Sequence, residues 1–76
     1  MPTLTHALGP DEPYIELNKL LKLKDIAQSG GHAKAMIEEG LVRVNGEVEY
    51  RKRNKLRAGA RVEAEGQVVE VVAAAS

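Results

Sequence analysis

Apolar residues recur along this chain with two different periods, and the change from one to the other divides it. Leu17, Leu20 and Leu21 lie three and four positions apart on one helical face, with Lys19 and Lys22 on the opposite side. Lys24 returns to the leucine stripe at about 100° per residue. Either the helix ends near Leu23, or Lys24 sits at the edge of the stripe and reaches out of a groove. Gln28, Ser29, Gly30 and Gly31 break the pattern, and Ser29 is a good N-cap for a second helix over residues 31–39. Ala33, Met36 and Ile37 form its buried face, Leu41 continues that face, and Gly40 suits the left-handed residue that ends a helix.

After Gly40 the period becomes two. Val42 and Val44 precede Asn45-Gly46, and Val48 and Tyr50 follow it, which predicts a β-hairpin. A two-residue turn would set Val44 opposite Glu47. A three-residue turn pairs Val42 with Val48 and Arg43 with Glu47, and is preferred because it keeps apolar residues on one face. Residues 51–57 then read as an exposed basic connector with one apolar anchor, Leu56. Val62 and Ala64, a turn at Gly66 and the run from Val68 to Val72 complete the strands.

Ahead of the helices, residues 1–13 carry Pro2, Gly9, Pro10 and Pro13 without an apolar period and read as a flexible lead-in. Tyr14 to Leu17 read as a short strand entering the first helix, and residues 73–76 as a frayed tail. The predicted order is strand, helix, helix and four strand segments. The fold class is α+β, a helical pair on a small, mostly antiparallel sheet, with residues 14–72 as a single domain.

With 76 residues there is room for one small core, and with no cysteine neither a disulfide nor a thiolate site can staple it. The balance of 43% apolar and 29% charged residues is that of a folded globular chain. No window approaches a membrane span and no leader is visible, so the expectation is a cytoplasmic protein.

Charge adds more. The net charge is zero, yet all eleven Lys and Arg fall between Lys19 and Arg61 with five acids, giving that block +6 and each flank −3. A local positive field is what a phosphate backbone meets, whatever the overall sum.

The ordered set Leu17-Asn18-Lys19-Leu20-Leu21, Ser29, Ala33-Lys34, Met36-Ile37, Gly40, Val42, Val44-Asn45-Gly46 and Leu56-Arg57-Ala58-Gly59 resembles the small RNA-binding domain first described in ribosomal small-subunit protein four. We call it the S-four domain. The brevity of the chain and its Ser-Gly-Gly and Arg-Lys-Arg segments are similar to the stand-alone bacterial group typified by YbcJ. The resemblance implies a helical pair packed on a sheet, the αL motif, with structured RNA met by the second helix and adjoining loop. By position it carries over Lys34 as a basic residue of that helix, Ser29 as its polar start and Asn45-Gly46 as the hairpin turn. Glu16 and Gly30 stand where the family usually has bases, and Lys22, Lys24 and residues 51–57 supply positive charge instead.

Two tyrosines leave little for base stacking on aromatic rings, so any flat stacking surface must come from arginine. The expected target is a folded RNA, a stem or stem-loop of ribosomal or transfer RNA, read by shape and backbone. The candidate contacts are Lys22, Lys24, Ser29, Gly30, Gly31, His32, Lys34, Arg43, Asn45, Gly46, Arg51, Lys52, Arg53, Lys55 and Arg57. His32 lacks the partners of a catalytic or metal-ligating histidine, and Glu38-Glu39 diverge by about 100° on a helix. Neither Ser29 nor Gly30-Gly31 has the neighbours of a nucleophile or phosphate loop. The expectation is therefore a monomeric, non-catalytic RNA-binding module without cofactor or metal. The alternative is a ribosome-associated or complex-assembly adaptor offering the edge of its valine-rich last strand to a protein.

Overall fold

The leucine stripe and the short apolar face of the second helix meet as their spacing requires. In the computed structural model, which describes residues 3–73, β1 (Thr3–Ala7) and β2 (Ile15–Glu16) precede α1 (Leu17–Leu23) and α2 (Gly30–Glu38). Leu17, Leu20 and Leu21 of α1 pack with Ala33, Met36 and Ile37 of α2 in one buried cluster. α1 stops at Leu23 because Asp25 turns left-handed, with φ 56°. Both halves of the Lys24 alternative hold: the residue caps the helix, and its side chain reaches away to the N-terminal strand. The corner is tied under α1 by the N–H groups of Ile26 and Ala27, which both donate to the Leu21 carbonyl at 3.0 Å. α2 is shifted one residue toward the N-terminus from expectation, and Ser29 is its N-cap, accepting from the His32 N–H at 3.0 Å.

Five further strands follow instead of four: β3 (Arg43–Val44), β4 (Glu47–Val48), β5 (Lys55–Leu56), β6 (Arg61–Ala64) and β7 (Gln67–Val72). A mixed sheet runs in the order β1-β7-β6-β3-β4, and β2 pairs with β5 separately. All pairings are antiparallel except β1 with β7. Val62 and Ala64 of β6, Val69 and Val71 of β7 and Val42 join the helical leucines in a single core. The helical pair thus covers one face of the sheet.

Three expectations change. The hairpin takes the two-residue turn, pairing Arg43 with Val48 and Val44 with Glu47. Asn45 and Gly46 have φ of 52° and 88°, the type I′ geometry that matches strand twist, and turn geometry wins over the apolar pairing of Val42 with Val48. The lead-in is also ordered where it is described. Thr3–Ala7 pairs along its whole length with Val68–Val72, Leu4 faces the core, and Leu8 beyond it is buried. The valine strand therefore lies between two neighbours and offers no edge; the edges are β1 and β4 among the described residues. Residues 74–76, expected as a frayed tail, lie outside the described residues.

The basic connector is built into the fold. Leu56 is 1% exposed and sits opposite Ile15 across the β2–β5 pair. Glu16 gives α1 no side-chain cap, and the carbonyls of Asn54 and Lys52 accept instead from the N–H groups of Leu17 and Asn18, each at 3.0 Å. No helix among the described residues is long and apolar enough to cross a membrane.

Candidate nucleic-acid interface

Capping by the connector fixes where its charges stand. The Lys52 carbonyl holds the Asn18 N–H, so the exposed turn at Lys52 and Arg53 lies against the start of α1. One helical turn on from Asn18 is Lys22, on the same side of α1. A Cβ added to Gly30 would lie 4.0 Å from the Lys22 Cδ, so the Lys22 stem runs past the first residue of α2. Lys34 is one turn further along α2. Lys52, Arg53, Lys22, Gly30, Gly31 and Lys34 thus follow one another as an exposed strip. None of its four cations enters an ion pair among the described residues.

The strip ends on a helix start without side chains in the way. Ser29 Oγ accepts from His32, and Gly30 and Gly31 keep N–H groups with no partner inside the helix. The His32 ring turns back, its Nδ1 accepting from the Gln28 N–H at 3.0 Å, so its ring proton is on Nε2. Ser29 and His32 are therefore capping groups first. No group of acids and histidines among the described residues is arranged to hold a metal.

A second basic patch flanks an open groove of about 570 Å³ between the hairpin and residues 54–60. Arg51 is one of its lining residues. Its Nε and Nη2 donate to the two carboxylate oxygens of Glu49 at 3.0 and 3.1 Å, and its backbone N–H adds a third bond at 2.9 Å. The hydrogen bonds from the Arg51 side chain hold Glu49 below the ordinary glutamate range, and Glu49 in turn raises Arg51. Lys55 and Arg57 stand over the Tyr14 ring, with Nζ and Cζ 5.0 and 5.6 Å from its centre. Asn45 joins the hairpin tip to β6, donating its N–H to the Arg61 carbonyl at 2.7 Å and accepting from the Arg61 N–H at 2.9 Å. Gly46 is exposed at the tip.

Comparison with known proteins gives the family. A family model for the S4 domain matches residues 9–72. The chain belongs to the S4 domain family. It is 49% identical over 69 residues to YbcJ of Escherichia coli, provisionally named an RNA-binding protein, covering 91% of this chain and 97% of that one. It is 41% identical over 63 residues to RlbA of Bacillus subtilis, provisionally named a ribosome maturation protein, covering 83% and 89%. The solution structure of YbcJ, described as revealing an αL motif involved in RNA binding, is similar with a TM-score of 0.68 at 48% identity, over 90% of this chain and 85% of that one.

Within this S4 domain, two candidate contacts stand apart from the others. Lys24 Nζ donates to the Thr5 carbonyl at 2.7 Å and so fastens α1 to β1. Arg43 lies on the sheet face turned away from the helices, paired across strands with Glu63. Glu16 likewise faces Lys55, and Glu70 faces Arg61, so the acidic flanks meet the basic block along the strands. Sequence reasoning passed over Tyr14, Glu49 and Asn54, which orient the cations. Glu49 and Arg51 carried a signal, since residues two apart on an extended segment share a side.

The Glu49 assignment is directly measurable. In a carboxyl-carbon NMR titration Glu49 is expected to protonate below the ordinary glutamate value, and Arg51→Ala to move its titration upward. With its folded pKa depressed, the pair's stabilisation is complete above the unfolded-state pKa and disappears as pH falls through the folded one.

Proposed function

We propose that this protein binds structured RNA through the strip formed by Lys52, Arg53, Lys22, Gly30, Gly31 and Lys34, and carries out no reaction of its own. The observation that carries the reading is the strip itself: four exposed cations without acidic partners among the described residues, running to a helix start where two glycines leave backbone N–H groups open to an anion. Its cations lie on backbone-anchored elements, so their Cα positions are set before the phosphates of a folded RNA arrive. The names of YbcJ and RlbA support RNA as the ligand and the ribosome as its setting. The target in this reading is a stem or stem-loop of ribosomal or transfer RNA, bound by a monomer in the cytoplasm.

A salt series against a pool of cellular structured RNAs tests this. Wild type is expected to bind with a steep dependence on salt. Lys34→Ala plus Arg53→Ala is expected to lose affinity and to flatten the log–log slope by about 0.7 to 0.9 for each contact removed. Equal binding and slope in both proteins would remove the strip from the reading. The adaptor alternative through the last strand loses its basis, because β1 and β6 occupy both sides of β7.

A further inference from the structure

We propose that the groove beside Arg51 receives an unpaired nucleobase of the bound RNA, stacked on the Arg51 guanidinium, which Glu49 holds in plane; this rests on the RNA-binding reading above. The chain has neither Phe nor Trp, so a flat surface for a base must come from elsewhere. Arg51 supplies one. Its side chain is 77% exposed, yet its Nε and Nη2 edge is fixed by the two Glu49 oxygens, and Glu49 itself is 15% exposed. A free arginine loses rotamer freedom when it binds, whereas this one is already ordered.

The same contact leaves the face of the guanidinium open. Glu49 takes one N–H of Nε and one of Nη2, and the Nη1–Nη2 edge keeps three donors for a neighbouring phosphate. The plane itself carries polarised charge suited to a π-system. The groove next to it fits such a guest. Half-buried Val44 and Ala60 line it as apolar wall, and Lys55 and Arg57 line it too, with their charged ends drawn to the Tyr14 ring just outside the groove, within the region that the phosphates flanking an extruded base would enter. The cations of the strip are not held by acids, which suits phosphate; Arg51 is held along one edge with its face open, which suits a base.

Two substitutions separate the roles because both disturb the fixed plane while only one changes the charge. Glu49→Gln removes a negative charge beside the site but releases the guanidinium. Arg51→Lys keeps the charge and removes the plane. Both positions follow the edge strand β4, and circular dichroism checks that each variant folds. The probes are an RNA hairpin with one bulged 2-aminopurine and the same hairpin fully paired.

Wild type is expected to bind the bulged hairpin about tenfold more tightly than the paired one, with quenching of the 2-aminopurine fluorescence. Both variants are expected to lose that preference and the quenching, while Glu49→Gln binds the paired hairpin as well as wild type or better. Arg51→Lys with unchanged preference and quenching would overturn the stacking role. So would Glu49→Gln binding both hairpins more tightly with quenching intact, the behaviour of a phosphate ligand relieved of a competitor. If wild type binds neither hairpin nor the RNA pool at low salt, the RNA reading itself falls and the inference with it.

Discussion

Leu56→Ala is expected to lower the unfolding free energy by about 2–5 kcal/mol, from lost burial and from the cavity left behind. For 76 residues the whole stability is about 4–11 kcal/mol, so this one change removes a large share of it. The side chain sits opposite Ile15, and just ahead of it the connector holds the start of α1 through the carbonyls of Lys52 and Asn54. Losing the anchor loosens those caps as well, because the β2–β5 pair has just two residues in each strand. Thermal unfolding followed by circular dichroism should show a midpoint lower by at least about 8 °C. Arg57→Ala, one residue on and exposed, should shift it by less than about 0.5 kcal/mol in stability. Equal midpoints for wild type and Leu56→Ala would mean that the connector is not part of the core.

That anchor shows where the sequence was hard to read. Five bases around a single leucine have the pattern of a solvated loop, and nothing local says that a two-residue strand 40 positions earlier will pair with it. The leucine stripe of α1, the Ser29 cap and the Asn45-Gly46 turn were legible because each is decided within a few residues by period, capping or backbone conformation. β1 was not. Its alternation of Thr3, Thr5 and Ala7 with Leu4 and His6 is weak, and its partner lies at the far end of the chain. Register in the hairpin went to the backbone, since Asn and Gly both accept positive φ while the gain from pairing two valines is small.

The candidate site divides in the same way. Residue type and rough position were enough to list the strip's residues among fifteen candidates, and its cations are exposed on short, well-signalled elements. Which cations were engaged by the protein itself was beyond local reading. Lys24 bonds a carbonyl of β1, Arg43 lies on the far sheet face beside Glu63, and Arg51 is held by Glu49. The first two depend on long-range topology. The third depends on two residues that share a side of an extended segment and was open to inspection.

This difference in partners predicts the largest effect on binding. Lys22→Glu, Lys34→Glu and Arg53→Glu together are expected to weaken RNA binding by at least about a hundredfold at low salt, since each reversal removes one phosphate attraction and adds a repulsion of comparable size. The three side chains are exposed and outside the core, so the thermal midpoint should change little. Arg43→Glu carries the same kind of reversal on the opposite sheet face and should leave affinity within about threefold at 0.15 M salt, where the screening length is about 8 Å. Filter binding and thermal melting on wild type and these two variants give the comparison. A triple variant that binds like wild type would place the interface elsewhere. An Arg43→Glu variant that fails with it would mean that net charge, and not the strip, attracts the RNA. Lys24→Glu behaves differently again: with its bond to the Thr5 carbonyl gone it should lower stability by about 1 kcal/mol, and an intact melting curve with weakened binding would return Lys24 to the interface.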